Sequence, residues 1–480
     1  MSFFADLALE ARIAAMSVAD YVGGTGLRLG VTGLSRAGKT VFITALVNNL
    51  IQRGKMPVFR VHAEGRLTKA VLRPQPDDAI PRFAFEDHLA SLNGENRIWP
   101  ESTRRISELR LTLEFERKSG WRAGPAAFTI DIIDYPGEWL LDLPLLAKTY
   151  AQWSRETLEA SQHPQRIALA KPWHDFVTSL DPAASASEDT ARKAAELFTA
   201  YLKACRADRL ALSTLPPGRF LLPGEMEGSP ALTFAPLPMS EGTEAASDTL
   251  IGMMERRYES YKALVVRPFF RDHFARLDRQ IVLVDALSAI NSGPAAVRDL
   301  ENALGDILSA FRAGRSNLLT TLFRPKIDRI LFAATKADHL HHTSHDRLEA
   351  ILRLLVGRAI ARAEDVGASV DVIALAAIRA TREASINANG TLLDAIVGTP
   401  LAGESVNGEI FDGKTEVAVF PGQLPDDPHA IFKGHGLAIP DSEAQMRFVR
   451  FRPPLIAPKT PYPHIRLDRA LEFLFGDKLT

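Results

Sequence analysis

The chain has 480 residues, 46% of them hydrophobic and 24% charged, with a formal net charge of −1. That length supports more than one hydrophobic core, and the balanced charge gives no overall electrostatic case for nucleic acid or an acidic membrane as partner. A single cysteine, Cys205, cannot form an internal disulfide, and no apolar run reaches the roughly 20 residues of a membrane-spanning helix. Asp6 and Glu10 speak against a signal peptide, so a cytoplasmic protein is expected.

Residues 1–22 are expected to form a helix whose stripe of Phe3, Phe4, Leu7, Ala11 and Ala14 or Ala15 packs on the core in preference to touching a membrane. Leu27–Thr32 then reads as a buried strand, and Val41–Ile51 as a helix with apolar residues at helical spacing. Between them Gly33-Leu34-Ser35-Arg36-Ala37-Gly38-Lys39-Thr40 is a complete G-x-x-x-x-G-K-T loop. Strand, glycine loop and helix together make the context in which backbone N–H groups turn inward around phosphate oxygens. The expected phosphate contacts are Gly33, Ser35, Arg36, Ala37, Gly38, Lys39, Thr40 and Val41. Lys39 would reach the terminal phosphates and Thr40 would ligate Mg²⁺. A plain glycine turn is the weaker reading.

Leu109, Leu111, Leu113 and Phe115 alternate with Arg110, Thr112 and Glu114, which predicts a half-exposed edge strand. Just upstream, Thr103 is the candidate γ-phosphate and Mg²⁺ ligand, with Thr68 in reserve. Phe128–Ile133 reads as the next strand and runs into Asp134-Tyr135-Pro136-Gly137. This is similar to the D-x-x-G of a GTPase switch II, where Asp134 would hold Mg²⁺ through water and the Gly137 amide would touch the γ-phosphate. A strand followed by a Pro-Gly turn is the bland alternative.

A long insertion follows, helical by pattern at Leu146–Ala160, Ser187–Ala204 and Asp248–Asp272. Thr214–Gly224, rich in Pro and Gly yet apolar, reads as ordered loop. Cys205 reads as buried filler. Gln280–Leu287 is a fully buried parallel strand by composition, and Lys326–Ala334 is another. The latter ends in Thr335-Lys336-Ala337-Asp338, similar to the [NT]-K-x-D element of GTPases, with threonine in place of the usual asparagine. There the aspartate accepts from the N1–H and N2–H₂ edge of guanine, and the lysine stem lies along the purine. Val370–Arg379 reads as a last strand, with Ala376, Ala377 and Ile378 at the position of the loop that contacts the guanine O6. His339, His341, His342 and His345 invite a metal reading, but a polar loop capping the helix from about Ser344 fits the pattern better. Arg447–Arg452 alternates like a strand with a charged face.

The whole chain resembles the bacterial YcjX-like family of P-loop GTPases. The resemblance rests on Gly33–Thr40, Asp134–Leu140, Gly218–Gly224, Ala334–His339, Arg447–Pro454 and Ile465–Leu471. It implies a cytosolic, stress-associated GTPase with a Ras-like core, a large α-helical insertion and GTP or GDP with Mg²⁺ as ligand. The fold expected is α/β, a mainly parallel sheet. Its parts are a nucleotide-binding domain in two stretches, 23–145 and 276–398, a helical insertion at 146–275, and a C-terminal extension at 399–480. Gly33–Thr40, Asp134, Asp338 and Ala377 are expected to converge at the carboxyl ends of the strands.

Thr103, Gly137 and Glu138 are the catalytic candidates. Glu138 stands where fast Ras-type enzymes carry glutamine; it can orient water or repel the triphosphate, so slow turnover is expected. Arg36, Arg104, Arg105 or a partner protein would have to supply any arginine finger. A P-loop ATPase, and a nucleotide-stabilised adaptor that never turns over, are the rival readings.

Overall fold

A computed structural model describes residues 26–480 apart from 35, 102, 119–123, 207–214, 240–245, 310–326, 366, 389–390, 407, 434–437, 440–441 and 446–447. The expected N-terminal helix, Ser35, Thr214, Lys326 and Arg447 therefore lie outside the described residues. Two compact units divide the rest. One takes the described parts of Met1–Tyr135, Leu277–Asn291 and Lys326–Thr480; the other takes those of Pro136–Arg276 and Ser292–Pro325.

The first unit is built on a seven-stranded sheet. Its strands are β1 (Gly26–Gly33), β2 (Leu67–Arg73), β3 (Ser107–Arg117), β4 (Gly124–Asp134), β5 (Arg279–Val284), β6 (Arg329–Ala334) and β7 (Ser369–Ala374). The order is β2-β3-β4-β1-β5-β6-β7, parallel from β4 to β7 and antiparallel at β2 and β3. This is the mainly parallel α/β architecture expected of a Ras-like core. All six residues of β5 are buried, as a strand covered on both faces requires. From β1 the chain returns on one side as β4 and then crosses to the other as β5, so a crevice opens at the carboxyl ends beside β1.

Two expectations need correction. β3 is not an edge strand: it pairs with β2 on one side and β4 on the other, and Leu109, Leu111, Leu113 and Phe115 are all buried. Alternation reports one buried face and says nothing about which edges are paired. The edge on that side of the sheet is β2, whose exposed Lys69 and Arg73 discourage further pairing. Likewise Phe448–Arg452 forms no regular strand; a single bridge joins Phe451 to Pro400, while Val449 and Phe451 are buried. There the alternation serves side-chain packing instead of a ladder.

Helix α1 (Lys39–Ile51) is apolar nearly all round, so it must be covered on both sides. The sheet covers one side and the C-terminal segment the other. Asn49 exchanges hydrogen bonds with Tyr462 (Nδ2 to the carbonyl, 3.1 Å; backbone N–H to Oδ1, 2.6 Å), and Asn48 Nδ2 donates to the Thr460 carbonyl at 3.0 Å. The terminal helix Leu467–Phe475 buries Leu467, Ala470, Leu471, Leu474 and Phe475 in the main core. Arg279, fully buried, ties that helix to the sheet through Asp477 at 2.6 Å and Asp328 at 3.0 Å.

The second unit opens with a long 3₁₀ segment, Gly137–Ala147, followed by α2 (Tyr150–Ser161), α3 (Ile167–Thr178), α4 (Glu188–Arg206), α5 (Leu250–Tyr261) and α6 (Pro294–Ser309). Its core is aromatic: Trp153 stacks on Tyr258 at 5.1 Å, and Trp173 on Tyr201 at 5.3 Å. α3 is absent from the sequence expectation because Pro172 interrupts it and masks the helical period. Cys205 is fully buried, and burial pushes its thiol up, which makes it unreactive.

Gly218 sits against the Glu138 peptide so closely that an added Cβ would lie 1.7 Å from that carbonyl oxygen. Its N–H donates to Asp142 Oδ1 at 2.7 Å, and Asp142 Oδ2 accepts from the Tyr261 hydroxyl at 2.6 Å. The Gly218–Gly224 motif therefore braces the Gly137–Ala147 segment. Gly218→Ala is expected to destabilise this unit by about 2–4 kcal/mol, within the upper range for single substitutions. A urea melt followed by tryptophan fluorescence measures it, and an unchanged midpoint would contradict the close approach.

Candidate nucleotide site

Gly38 adopts φ +85°, a left-handed conformation that glycine enters without strain, and it turns the loop into α1. No side chain caps α1, so its first N–H groups stay available to an anion. Lys39 is buried, and its Nζ folds back to donate to the Gly33 carbonyl at 2.9 Å. Ala37 is buried, Val41 is half-buried, and Arg36 is exposed with φ +64°.

Beside the loop, three residues from separate elements join in one hydrogen-bonded chain. Thr103 Oγ1 donates to Asp134 Oδ2 at 2.7 Å, which leaves Thr40 Oγ1 as the donor to Thr103 across 3.3 Å. Asp134 is 2% exposed, and its Oδ1 is buried without a partner. Two threonine hydroxyls around a buried carboxylate with a spare oxygen are an oxygen-donor set of the kind Mg²⁺ takes. Thr68 lies elsewhere. Its hydroxyl donates to the Glu114 carbonyl, seven residues along β3 from Ser107, the partner of Asp134, or roughly 20 Å away.

Burial pushes the Asp134 carboxyl up to about 6, while Lys39, the Thr103 hydroxyl and the Tyr135 amide restrain the rise. Between the ordinary value of 3.8 and about 6 the folded protein holds a proton that the unfolded chain has released. Stability therefore falls as pH rises through that window and stays reduced above it. Asp134→Asn is expected to stabilise nucleotide-free protein at pH 7.5, by at most about 3 kcal/mol and so with a higher melting temperature, and to leave its stability unchanged at pH 4. Thermal melts at the two pH values test this; a lower melting temperature at pH 7.5 would contradict the buried charge.

The strand registers bring the remaining residues to the same end of the sheet. Val31 pairs with Asp134, Gly33 with Leu283, Val284 with Ala334, and Ala334 with Ala374. The loops after β6 and β7 thus lie two and three strands from the phosphate loop, roughly 10–14 Å. Thr335 continues from β6 with its N–H on the Val284 carbonyl at 2.9 Å. Lys336 turns through φ +62° and pairs with Asp285. Asp338 is buried; its Oδ2 accepts from the Ala380 N–H at 2.9 Å, and its carbonyl accepts from the Thr381 hydroxyl.

β7 stops at Ala374, short of the expected Arg379: the Leu375 N–H on the Ala334 carbonyl at 2.7 Å is the last rung to β6, and the Ala376 N–H then donates to the Ile465 carbonyl instead. Ala376 is bridged on both sides to Ile465. The Ile378 side chain is buried among Ala45, Leu92 and Tyr462, with Ala377 packed against the same cluster.

Residues 27–479 match the YcjX-like family, DUF463. The chain belongs to this family. It is 40% identical over 465 residues to the protein named Ras-like GTPase YcjX of Escherichia coli (strain K12), covering 94% of this chain and 96% of that protein. It is 36% identical over 488 residues to the protein of the same name from Shewanella oneidensis, covering 94% of each.

In this YcjX-like chain, Gly137 and Glu138 begin the second unit. Glu138 is 4% exposed and forms an ion pair with Arg206 at the end of α4. Trp139 lies under the Arg219 guanidinium at 3.2 Å and donates its indole N–H to the Leu222 carbonyl at 3.0 Å. Arg104 is exposed and pairs with Glu101, and Arg105 is exposed. Two partners were not legible in the YcjX-like sequence. Asp285 directly follows a buried strand, but nothing local to it says that it pairs with Lys336, 51 residues on. The backbone of Pro463–Ile465, which holds the loop after β7, carries no signal at all.

Proposed function

We propose that this YcjX-like protein is a guanine-nucleotide switch that binds GTP or GDP with Mg²⁺ and hydrolyses GTP slowly. The observation that carries the reading is the in-register alignment of the phosphate loop, Asp134 and the Thr335–Asp338 loop at one end of the sheet. The name Ras-like GTPase borne by both relatives supports it. The stress-associated setting comes from the family resemblance.

In this reading the α1 N–H groups and Lys39 take the phosphates, Lys39 exchanging the Gly33 carbonyl for phosphate oxygens. Thr40, Thr103 and, through water, Asp134 would hold Mg²⁺, which would supply charge neutralisation on the phosphates. Asp338 accepts from the guanine N1–H and N2–H₂ edge, a pairing adenine cannot offer, and Lys336 covers the purine face. The Gly137 amide and Glu138 would act on the γ-phosphate and the attacking water.

The buried Glu138–Arg206 ion pair favours a second reading, a nucleotide-stabilised adaptor without turnover, because a carboxylate held this way must be released before it can orient water. The test titrates nucleotide-free protein with labelled GDP and ADP in Mg²⁺, then follows phosphate release from GTP. Tight GDP binding with slow multiple turnover is the expected result. GDP binding without phosphate release selects the adaptor, and equal or tighter ADP binding moves the protein to the ATPases.

A further inference from the structure

The four histidines after Asp338 separate in the fold. His345 donates its Nε2–H to the Ala337 carbonyl, 2.9 Å away, and His339 packs edge-on against Phe451. His341 and His342 instead face β8 (Arg382–Ala388) and β9 (Thr391–Gly398), strands of a three-stranded antiparallel sheet completed by β10 (Val417–Val419). There both imidazoles meet one carboxylate oxygen. His342 Nδ1 is 2.8 Å from Glu383 Oε2, and His341 Nε2 is 3.7 Å from the same atom. One donor atom from each of the three residues lies within 4.8 Å of the other two. Tetrahedral zinc with bonds near 2.0–2.2 Å sets its ligand atoms about 3.4 Å apart, so small side-chain adjustments suffice.

The surroundings orient these ligands. The Thr343 hydroxyl donates to Asp394 Oδ2 at 3.1 Å, so its oxygen is left to accept from His341 Nδ1–H at 3.0 Å. Asp394 itself stands 3.4 Å from His341 Nδ1. With the proton of His341 on Nδ1, the Nε2 lone pair of the neutral ring points at Glu383. Two acceptors facing each other repel unless a cation lies between them. On its far side Glu383 Oε1 is held by Arg379 at 3.2 Å. A histidine whose second nitrogen is engaged by a hydroxyl–carboxylate pair, next to an anchored carboxylate, is how proteins prepare metal ligands. Imidazole nitrogens mixed with a carboxylate select a zinc-class ion over Mg²⁺.

We propose that His341, His342 and Glu383 bind a zinc-class dication, with Asp394 and Thr343 as positioning residues for His341. The ion would staple the loop that follows Asp338 to the β8–β9 hairpin and so stiffen the base-side loop. It is separate from the Mg²⁺ set at Thr40, Thr103 and Asp134.

The experiment strips the full chain with EDTA and titrates it with Co²⁺ alone, without nucleotide or Mg²⁺, following the visible d–d absorption. One equivalent with a Zn²⁺-displaceable band is expected. His342→Ala, at a side chain 62% exposed and so tolerant of change, should weaken binding about 100-fold, and Asp394→Asn about 10-fold. Asp134→Asn should leave the band unchanged. Absence of a band at submillimolar Co²⁺ would mean that a proton alone occupies the gap and would overturn the site. A band that survives His342→Ala and Glu383→Gln but disappears in Asp134→Asn would place the ion at the nucleotide loop and overturn it equally. Both sets of results stand whether or not guanine is the preferred base.

Discussion

Replacing Lys39 by alanine is expected to lower GTP affinity by roughly 10²–10³-fold while the nucleotide-free fold survives. The loss follows from position. Lys39 is buried beside the loop with its Nζ on the Gly33 carbonyl, so it would meet a phosphate with little water left to screen it. Removing one partner of such a desolvated charge contact costs about 3–5 kcal/mol. The fold survives because alanine suits the first turn of α1, whose remaining residues stay packed in the core. A second consequence is electrostatic. The Lys39 charge restrains the rise of the Asp134 carboxyl, so its removal lets burial push that group higher and weakens Mg²⁺ binding as well. Titration with labelled GTP, alongside circular dichroism of the apo protein, measures both effects. A variant that binds GTP like the parent would remove the phosphate-loop assignment.

Asp338→Asn is expected to reverse the preference between guanine and xanthine nucleotides. The carboxylate would accept two guanine N–H donors, and the amide turns one acceptor into a donor, which suits the carbonyl at C2 of xanthine. Sites that pair buried hydrogen-bonding groups discriminate by about 10⁴–10⁵. Much of that ratio should transfer to xanthosine triphosphate. The loop itself should hold, since the asparagine carbonyl oxygen can still accept from the Ala380 N–H. Competition between the two triphosphates for the variant checks the claim, and unchanged selectivity would take Asp338 out of the base site.

The elements readable in the sequence were those in which local chemistry and fold agree. β1, α1, β4 and β5 are short apolar strands or a helix bounded by glycine or aspartate, and the structure has each within a few residues of its expected span. What was not readable depends on partners distant in the chain. β2 as the edge on its side of the sheet, the Glu138–Arg206 pair and the meeting of His342 with Glu383 all require a fold before they exist. α3 escaped because Pro172 hides its period, and Ile378 because no local pattern says which way a loop residue turns.

The terminal helix has a consequence for the order in which the molecule is made. Leu467, Leu471, Leu474, Phe475 and Leu479 share one core with β1 and α1, and Tyr462 seals the outer face of α1. Synthesis reaches β1 long before it reaches residues 462–479, which complete the packing around β1 and α1. The nucleotide-binding unit therefore cannot close while those residues are still inside the ribosome. The nascent phosphate loop stays without its finished support until those residues emerge, whereas the second unit draws its residues from positions 136–325 and has them in hand earlier.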